Sequence, residues 1–386
     1  MKRISIYLLL LIMVSCNPQQ REENKEVSEV EHGIVFSENE KFGGWPANNG
    51  IWVWDNEILV GFVEADYKET KGLHTYDPAT AKHKYARSKD GGNSWAIEDA
   101  YEHGQTAWAH DNNVSAEKAE PPKVLDKEVI DFTNPNFAIT LQRHNNNYGP
   151  THFYYSNNRG VNWHGAYIYP DLGTDGIASR TDYIIDGEKE MSVFLTVAKS
   201  NKREGRVALA RTKDGGVNWK IVSWIGDEPE GFDIMPSSLR LSPSKLLTVI
   251  RSRTSNGQDF LSSYLSTDNG ETWEKLKDPV ADTGQGGSPP ALLKLRDGRL
   301  VLAYIYRSNY GSRVNIRFSS NDGLNWSDEI VLRYGDGTNR DSGYPRMVER
   351  EDGKIVLIYY WNNVNKKGAH PYRYIASTIF DPNLWD

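Results

Sequence analysis

Cysteine is nearly missing from this chain: of 386 residues only Cys16 carries a thiol. No disulfide can form within the chain, so its folded part must be held by a core alone. Long apolar runs are missing too. The one apolar stretch, Ile4 to Val14 behind Lys2 and Arg3, is too short to span a bilayer and ends at small residues, the form of an export signal. There is no excess of basic charge. Lys and Arg number 45 against 52 Asp and Glu, a net charge of −7, which leaves no footprint for nucleic acid. No apolar stripe of helical period runs far enough for a long helix, which excludes helical bundles.

What is present is aromatic: 12 Trp, 21 Tyr and 11 Phe, ample for a large all-β core. Cys16 directly follows Val14-Ser15, so the start resembles a bacterial lipobox whose cysteine is acylated. The expected organisation is a signal peptide over residues 1–15, a flexible tether over 16–31 behind lipidated Cys16, and a folded unit over 32–386 in the bacterial envelope, on the periplasmic or outer-membrane side. The tether is polar and charge-rich, a composition that cannot offset the cost of ordering it.

One pattern, S/T-x-D/N-x-G-x-x-W, recurs along the chain. Its copies run from Ser88 to Trp95, Ser156 to Trp163, Thr212 to Trp219, Ser266 to Trp273 and Ser319 to Trp326, with a degenerate sixth expected at Ser377 to Trp385. The chemistry suits a tight hairpin: Asp or Asn satisfies turn amides, Gly takes positive φ, and Trp plugs the gap between sheets. The set lacks the further carboxylates of calcium loops, so no metal and no cofactor are expected. Between the copies lie apolar strands behind tight turns, such as Asp297-Gly298 before Arg299 to Tyr304 and Asp352-Gly353 before Lys354 to Tyr359. Each unit reads as one four-stranded blade, and six fit the length: a six-bladed β-propeller, with Gly33 to Ser37 free to close the ring in the last blade.

Residues that open innermost strands converge on the axis. They are Trp45, Asn48 and Asn49, then Asn134, Arg180 and Asp182, Met235 and Ser237, Gln285 and Ser288, and Tyr344 and Arg346. The ends of the next strands add Glu64, Asp66, Lys199, Arg251, Tyr306 and Arg307. Arg180, Arg251, Arg313 and Arg346 form a potential clamp for an anion, because guanidinium binds carboxylate bidentately.

The repeats and the blade order resemble the Asp-box propellers of the sialidase superfamily along the whole folded part. The resemblance implies a tyrosine nucleophile at Tyr344, carboxylate-binding arginines at Arg251 and Arg313, and an acid/base aspartate with Asp66 as its nearest equivalent. Two departures stand out: Gly44-Trp45-Pro46 lacks the family's first-blade arginine, and Met235 replaces the glutamate that activates the tyrosine. Asp182, on the same strand face as Arg180, could take over as base. The expected function is an exo-acting glycoside hydrolase on a terminal acidic sugar, with Trp45, Asn48, Asn134, Gln285 and Tyr306 also contacting it. The alternatives are a polysaccharide lyase using His74 or His110 with a tyrosine, and a non-catalytic glycan-binding lipoprotein. The expected partners are the acidic glycan and, through the lipid alone, a membrane; the protein is expected to be a monomer.

Overall fold

The computed structural model describes residues 30–105, 121–126, 129–337, 339–362, 364–365, 368–369 and 372–385. The segments read as signal peptide and lipidated Cys16, most of the tether, and His110 lie outside them. Strand β1 (Val30–Phe36) already begins two residues inside the expected tether.

Six sheets of antiparallel strands surround one axis. The first blade contains β2 (Lys41–Gly44), a four-residue helix α1 (Pro46–Asn49), β3 (Ile51–Trp54), β4 (Glu57–Asp66), β5 (Lys82–Ser88) and β6 (Ala96–Asp99). Both β2 and β3 pair with β4, so α1 interrupts a single innermost strand. The second blade has three strands, β7 (Ala138–Arg143), β8 (Thr151–Ser156) and β9 (His164–Ile168). The third comprises β10 (Tyr183–Ile185), β11 (Met191–Ala198), β12 (Glu204–Thr212) and β13 (Lys220–Trp224). The fourth comprises β14 (Phe232–Arg240), β15 (Leu246–Arg253), β16 (Asp259–Ser266) and β17 (Glu274–Lys275). The fifth comprises β18 (Ala291–Lys294), β19 (Leu300–Tyr306), β20 (Arg313–Ser319) and β21 (Ile330–Arg333). The sixth takes β22 (Gly343–Glu349) and β23 (Ile355–Trp361), passes a small β24–β25 hairpin (Val364–Asn365, Gly368–Ala369), and adds β26 (Tyr374–Phe380). Its outermost strand is β1, paired with β26 from Val30 opposite Phe380 to Phe36 opposite Ile375, with one bulge between Ile34 and Phe36. The chain's first strand thereby covers the edge of its last blade and closes the ring.

The repeated turn explains why the blades form and why they stack. In each copy the Ser or Thr hydroxyl accepts from the amide of the Gly four residues on, as in Ser88 with Gly92 at 2.7 Å and Ser266 with Gly270 at 2.8 Å. The Asp or Asn side chain accepts from amides further along the turn, as in Asp90 with Ser94 at 2.9 Å. The glycine also marks a close approach. A Cβ on Gly270 would lie 2.2 Å from Leu209 of the preceding blade, and one on Gly160 would lie 2.4 Å from Leu59. The degenerate sixth copy is not such a turn. With β1 supplying the outer strand, β26 runs instead into a short 3-10 helix, Pro382–Trp385, and Trp385 packs on Phe318 and Phe380.

Asn134 is a second correction. It sits in the turn ahead of β7, beside the Asp-box of its own blade, where the Asn136 carbonyl accepts from the Arg159 amide. That is the end opposite the openings of the inner strands. The second blade shows no innermost strand among the described residues, and the segment read as opening one is the turn that leads into β7.

Candidate active site

Three inner strands open the same way. Trp45, Met235 and Tyr344 each precede a proline and each adopts a left-handed backbone, with φ of 57°, 52° and 56°. Proline brings no amide to the ladder, and the pairing slips at these points, between Ile234 and Ser237 and between Gly343 and Arg346. Such bulges re-aim side chains out of a strand, and non-glycine residues held at positive φ cluster at functional sites. Trp45 and Tyr344 both line the cavity at this end of the axis, and Met235 packs beneath it with Ala47 and Ile234.

The cavity holds about 510 Å³. Of the predicted residues it gathers Trp45, Asn48, Arg180, Arg251 and Tyr344, together with His74. It adds Arg143, Lys82, His83, Gln142 and Tyr101, which the sequence reading passed over. Arg143 ends β7 as Arg251 closes in on the end of β15, so the strand-end rule that found Arg251 would have found Arg143 had it been applied to the second blade. No aspartate or glutamate is among the described residues lining the cavity. In a chain of net charge −7 this is a local basic pocket, and its three arginines and one lysine suit an anionic group.

Tyr344 is the focus of that charge. Arg251 donates to its hydroxyl at 3.4 Å, and the Arg307 guanidinium lies 5.5 Å from its ring centre. Burial pushes the phenol up, but Arg251, Arg307, Arg180 and Arg143 outweigh it and hold the pKa below the ordinary tyrosine value. The arginines thus favour ionisation at the position where Met235 leaves no carboxylate base. Arg307 is itself fixed from behind, donating to the Ser342 carbonyl at 2.6 Å and to the Tyr360 hydroxyl at 2.8 Å. Arg251 is anchored on the Gly286 carbonyl.

A second polar group faces the same space. His74 comes from the long loop between β4 and β5, and its Nδ1 lies 2.8 Å from Oδ1 of Asp341. Asp341 is fully buried and also accepts from the Tyr360 hydroxyl and from Arg373 Nε, each at 2.9 Å. Burial raises its pKa, but His74, Arg373 and Arg307 more than reverse this, so the carboxylate is held below its usual range. Deeper in the wall, burial and the neighbouring Arg143 lower the His83 pKa to about 4, and His83 lies 3.1 Å from the Asn49 amide.

The other predicted site residues lie elsewhere. Asp66, at the end of β4, forms a 2.7 Å ion pair with Lys41 and does not line the cavity. Glu64 sits between Lys41 and Lys84. Arg346 points inward from β22 but is held by the carbonyls of Ala47 and Thr181, tying three blades together under the cavity floor. Asp182 is buried beside it, accepting from the Ser238 hydroxyl at 2.8 Å, and burial raises its pKa to about 7 in spite of Arg346. Arg313 lies outside the cavity, its guanidinium 4.6 Å over the Tyr306 ring and 3.6 Å from Glu329. Gln285 is exposed on a loop, and its amide donates to the Arg307 carbonyl. Lys199 is occupied by the carbonyls of Pro229, Glu230 and Gly231. Asp66, Glu64, Arg346, Asp182, Arg313 and Lys199 each find a nearer partner than the axis, whereas Gln285 lies in the loop ahead of β18 rather than at the opening of that strand.

Comparison with known proteins agrees with this architecture. Residues 189–357 match the model of the BNR repeat-like domain. No curated protein matches the sequence. Among solved structures, a protein of unknown function from Dyadobacter fermentans is similar at a TM-score of 0.65 and 18% identity, covering 92% of this chain and 100% of its own. The sialidase of Trypanosoma rangeli, solved with the inhibitor DANA, is similar at 0.56 and 13% identity; this chain is 92% covered and spans 60% of that protein's length. An α-L-arabinanase from Penicillium chrysogenum, solved with arabinobiose, is similar at 0.55 and 14%, covering 88% of this chain and 97% of its own. At these identities the likeness concerns the fold, which glycoside hydrolases share. The chain is a six-bladed β-propeller, part of which, residues 189–357, matches the BNR repeat-like domain.

Proposed function

We propose that the axial cavity cleaves the glycosidic bond of a terminal acidic sugar, with Tyr344 as the reacting group and Arg143, Arg180 and Arg251 as the counter-charge for the sugar's carboxylate. The observation that carries this reading is Tyr344 itself, a phenol placed under several guanidinium groups that favour its ionised form. Ordinary glycosidases use two carboxylates, whereas sialidases use a tyrosine nucleophile, and a phenolate needs no separate base. Exo-hydrolysis fits the fold shared with a sialidase and an arabinanase. The lack of any carboxylate among the described lining residues favours a second reading, β-elimination from a uronate by Tyr344 and a histidine.

The deciding experiment incubates the purified protein with sialylated, uronate-bearing and sulfated glycans, following released sugar and the ultraviolet absorbance of unsaturated products. Saturated monosaccharide supports hydrolysis, and rising absorbance supports elimination. Products that persist in Tyr344→Phe would move the chemistry away from this site. We further propose that Cys16 carries a lipid, which places the cavity outside the cytoplasm on an envelope surface.

A further inference from the structure

We infer that His74, oriented by Asp341, delivers the proton to the departing glycosidic oxygen in the axial cavity; the inference rests on the bond-cleaving reading above. An alkoxide is a poor leaving group, so a cavity that breaks a sugar–sugar bond needs a positioned proton donor. No carboxylic acid lines this one among the described residues. Among the described residues the choice lies with the other titratable groups at its wall, one of which, Tyr76, packs its ring against Phe42, Trp45 and His74 itself. His83 is neutral at physiological pH and engaged with Asn49. Burial pushes the Tyr101 phenol up to about 12, which makes it a weak acid. Lys82 sits at the exposed rim, and Tyr344 is drawn toward the phenolate, the opposite of a donor.

His74 has the required geometry. Its Nδ1 meets Asp341 at 2.8 Å, and an ionised carboxylate can only accept, so Nδ1 carries the proton and Nε2 is the reactive nitrogen. Asp341 cannot turn away, because Tyr360 and Arg373 hold its two oxygens. The imidazole stands edge-on to Trp45 with ring centres 5.1 Å apart, and its side chain keeps 34% exposure at the cavity. Tyr360 joins the two reacting groups: its hydroxyl binds Asp341 and its ring packs against Tyr344 at 5.8 Å. A buried carboxylate holding a histidine in the same cavity as an activated nucleophile is an arrangement suited to proton transfer.

In hydrolysis the imidazolium Nε2–H passes its proton to the glycosidic oxygen as the bond from that oxygen to the anomeric carbon breaks and the Tyr344 oxygen bonds to the carbon. Neutral Nε2 then takes a proton from water while the water oxygen attacks the same carbon, releasing Tyr344 as phenolate and restoring the imidazolium. One water is consumed, and the products are the free sugar and an alcohol. In elimination the same nitrogen protonates the leaving oxygen while Tyr344 removes the proton beside the carboxylate; solvent then resets both groups.

The test compares His74→Asn, whose amide keeps a donor near the Nδ1 position, with wild type on two probes: an umbelliferyl glycoside of the accepted acidic sugar and the same sugar linked to a second sugar. An umbelliferyl phenolate leaves without a proton, whereas a sugar alkoxide does not. The expected result is a fall in kcat of about 100-fold or more on the sugar-linked probe, with KM within threefold and a far smaller loss on the umbelliferyl probe. Asp341→Asn should show the same split. If the wild type eliminates instead, His74→Asn should lose the same factor in the appearance of unsaturated product. Should His74→Asn fail to give a cooperative melt, His74→Gln takes its place. Equal losses on both probes, or turnover within threefold of wild type where Tyr344→Phe is inactive, would overturn the inference and leave the bond-cleaving reading standing. Inactivity of the wild type across the whole panel would overturn both.

Discussion

Replacing Asp182 with Asn should stabilise the protein, and more so as the pH rises. Asp182 is buried, with Ser238 as hydrogen-bond donor and Arg346 as the neighbouring charge. Burial dominates and raises the carboxyl from 3.8 to about 7. A carboxyl whose folded pKa is raised binds its proton more tightly in the folded state, so stability is greatest at acid pH and is lost as the pH climbs from the unfolded value toward the folded one. At pH 8 the whole gap of roughly three units has been crossed, and ionisation favours the unfolded chain by about 4 kcal/mol. At pH 5 only about one unit has been crossed, or roughly 1–2 kcal/mol. Asparagine escapes this dependence. Urea melts followed by tryptophan fluorescence at both pH values should therefore show the variant's advantage growing by roughly 2–3 kcal/mol. A gap that is flat, or that moves in favour of wild type as pH rises, would refute the argument. It would mean that Arg346 keeps Asp182 ionised throughout, as a permanent counter-ion.

Arg180→Ala should weaken binding of the accepted acidic glycan by roughly 10- to 100-fold, the loss expected for one charged hydrogen-bonding partner; calorimetry at two salt concentrations against an uncharged analogue separates this from a general loss of shape. Gly270→Ala should cost about 2–5 kcal/mol, because a left-handed backbone disfavours any Cβ and this one meets the buried Leu209. Gly257→Ala, at φ 91° with open space around it, should cost only about 1–2 kcal/mol, and equal losses in the two variants would show that the contact between blades is unimportant. Cys16→Ser should move the protein from the membrane to the soluble fraction of a bacterium that processes lipoproteins; retention in the membrane would show that another segment holds it there.

The fold was legible because its instructions are local. Within eight residues of each Asp-box, the Ser or Thr, the Asp or Asn, the Gly and the Trp dictate a hairpin and its contact with the neighbouring blade, without reference to the rest of the chain. The ring closure by β1 was legible for the same reason, since an unpaired apolar strand at the start matches an unpaired edge at the end. The site was legible only in part, because strand position says where a Cα lies and not what its side chain will reach. Arg180, Arg251 and Tyr344 open into the cavity, but Arg346, one bulge further along the strand that carries Tyr344, meets two carbonyls first and becomes a tie between blades. The Asn134-Pro135 pair imitates the proline that follows Trp45, Met235 and Tyr344, and so drew attention to a turn at the wrong end of the second blade. Asp66 failed for an electrostatic reason: a carboxylate at a strand end with Lys41 opposite it in register is paired across the sheet before any substrate arrives. His74 shows the converse. In sequence it is one histidine in a polar loop, and its meaning comes from Asp341, 267 residues away. Five blades of local code can specify a propeller, whereas a proton donor and its orienting carboxylate exist only once the sixth blade has closed against the first.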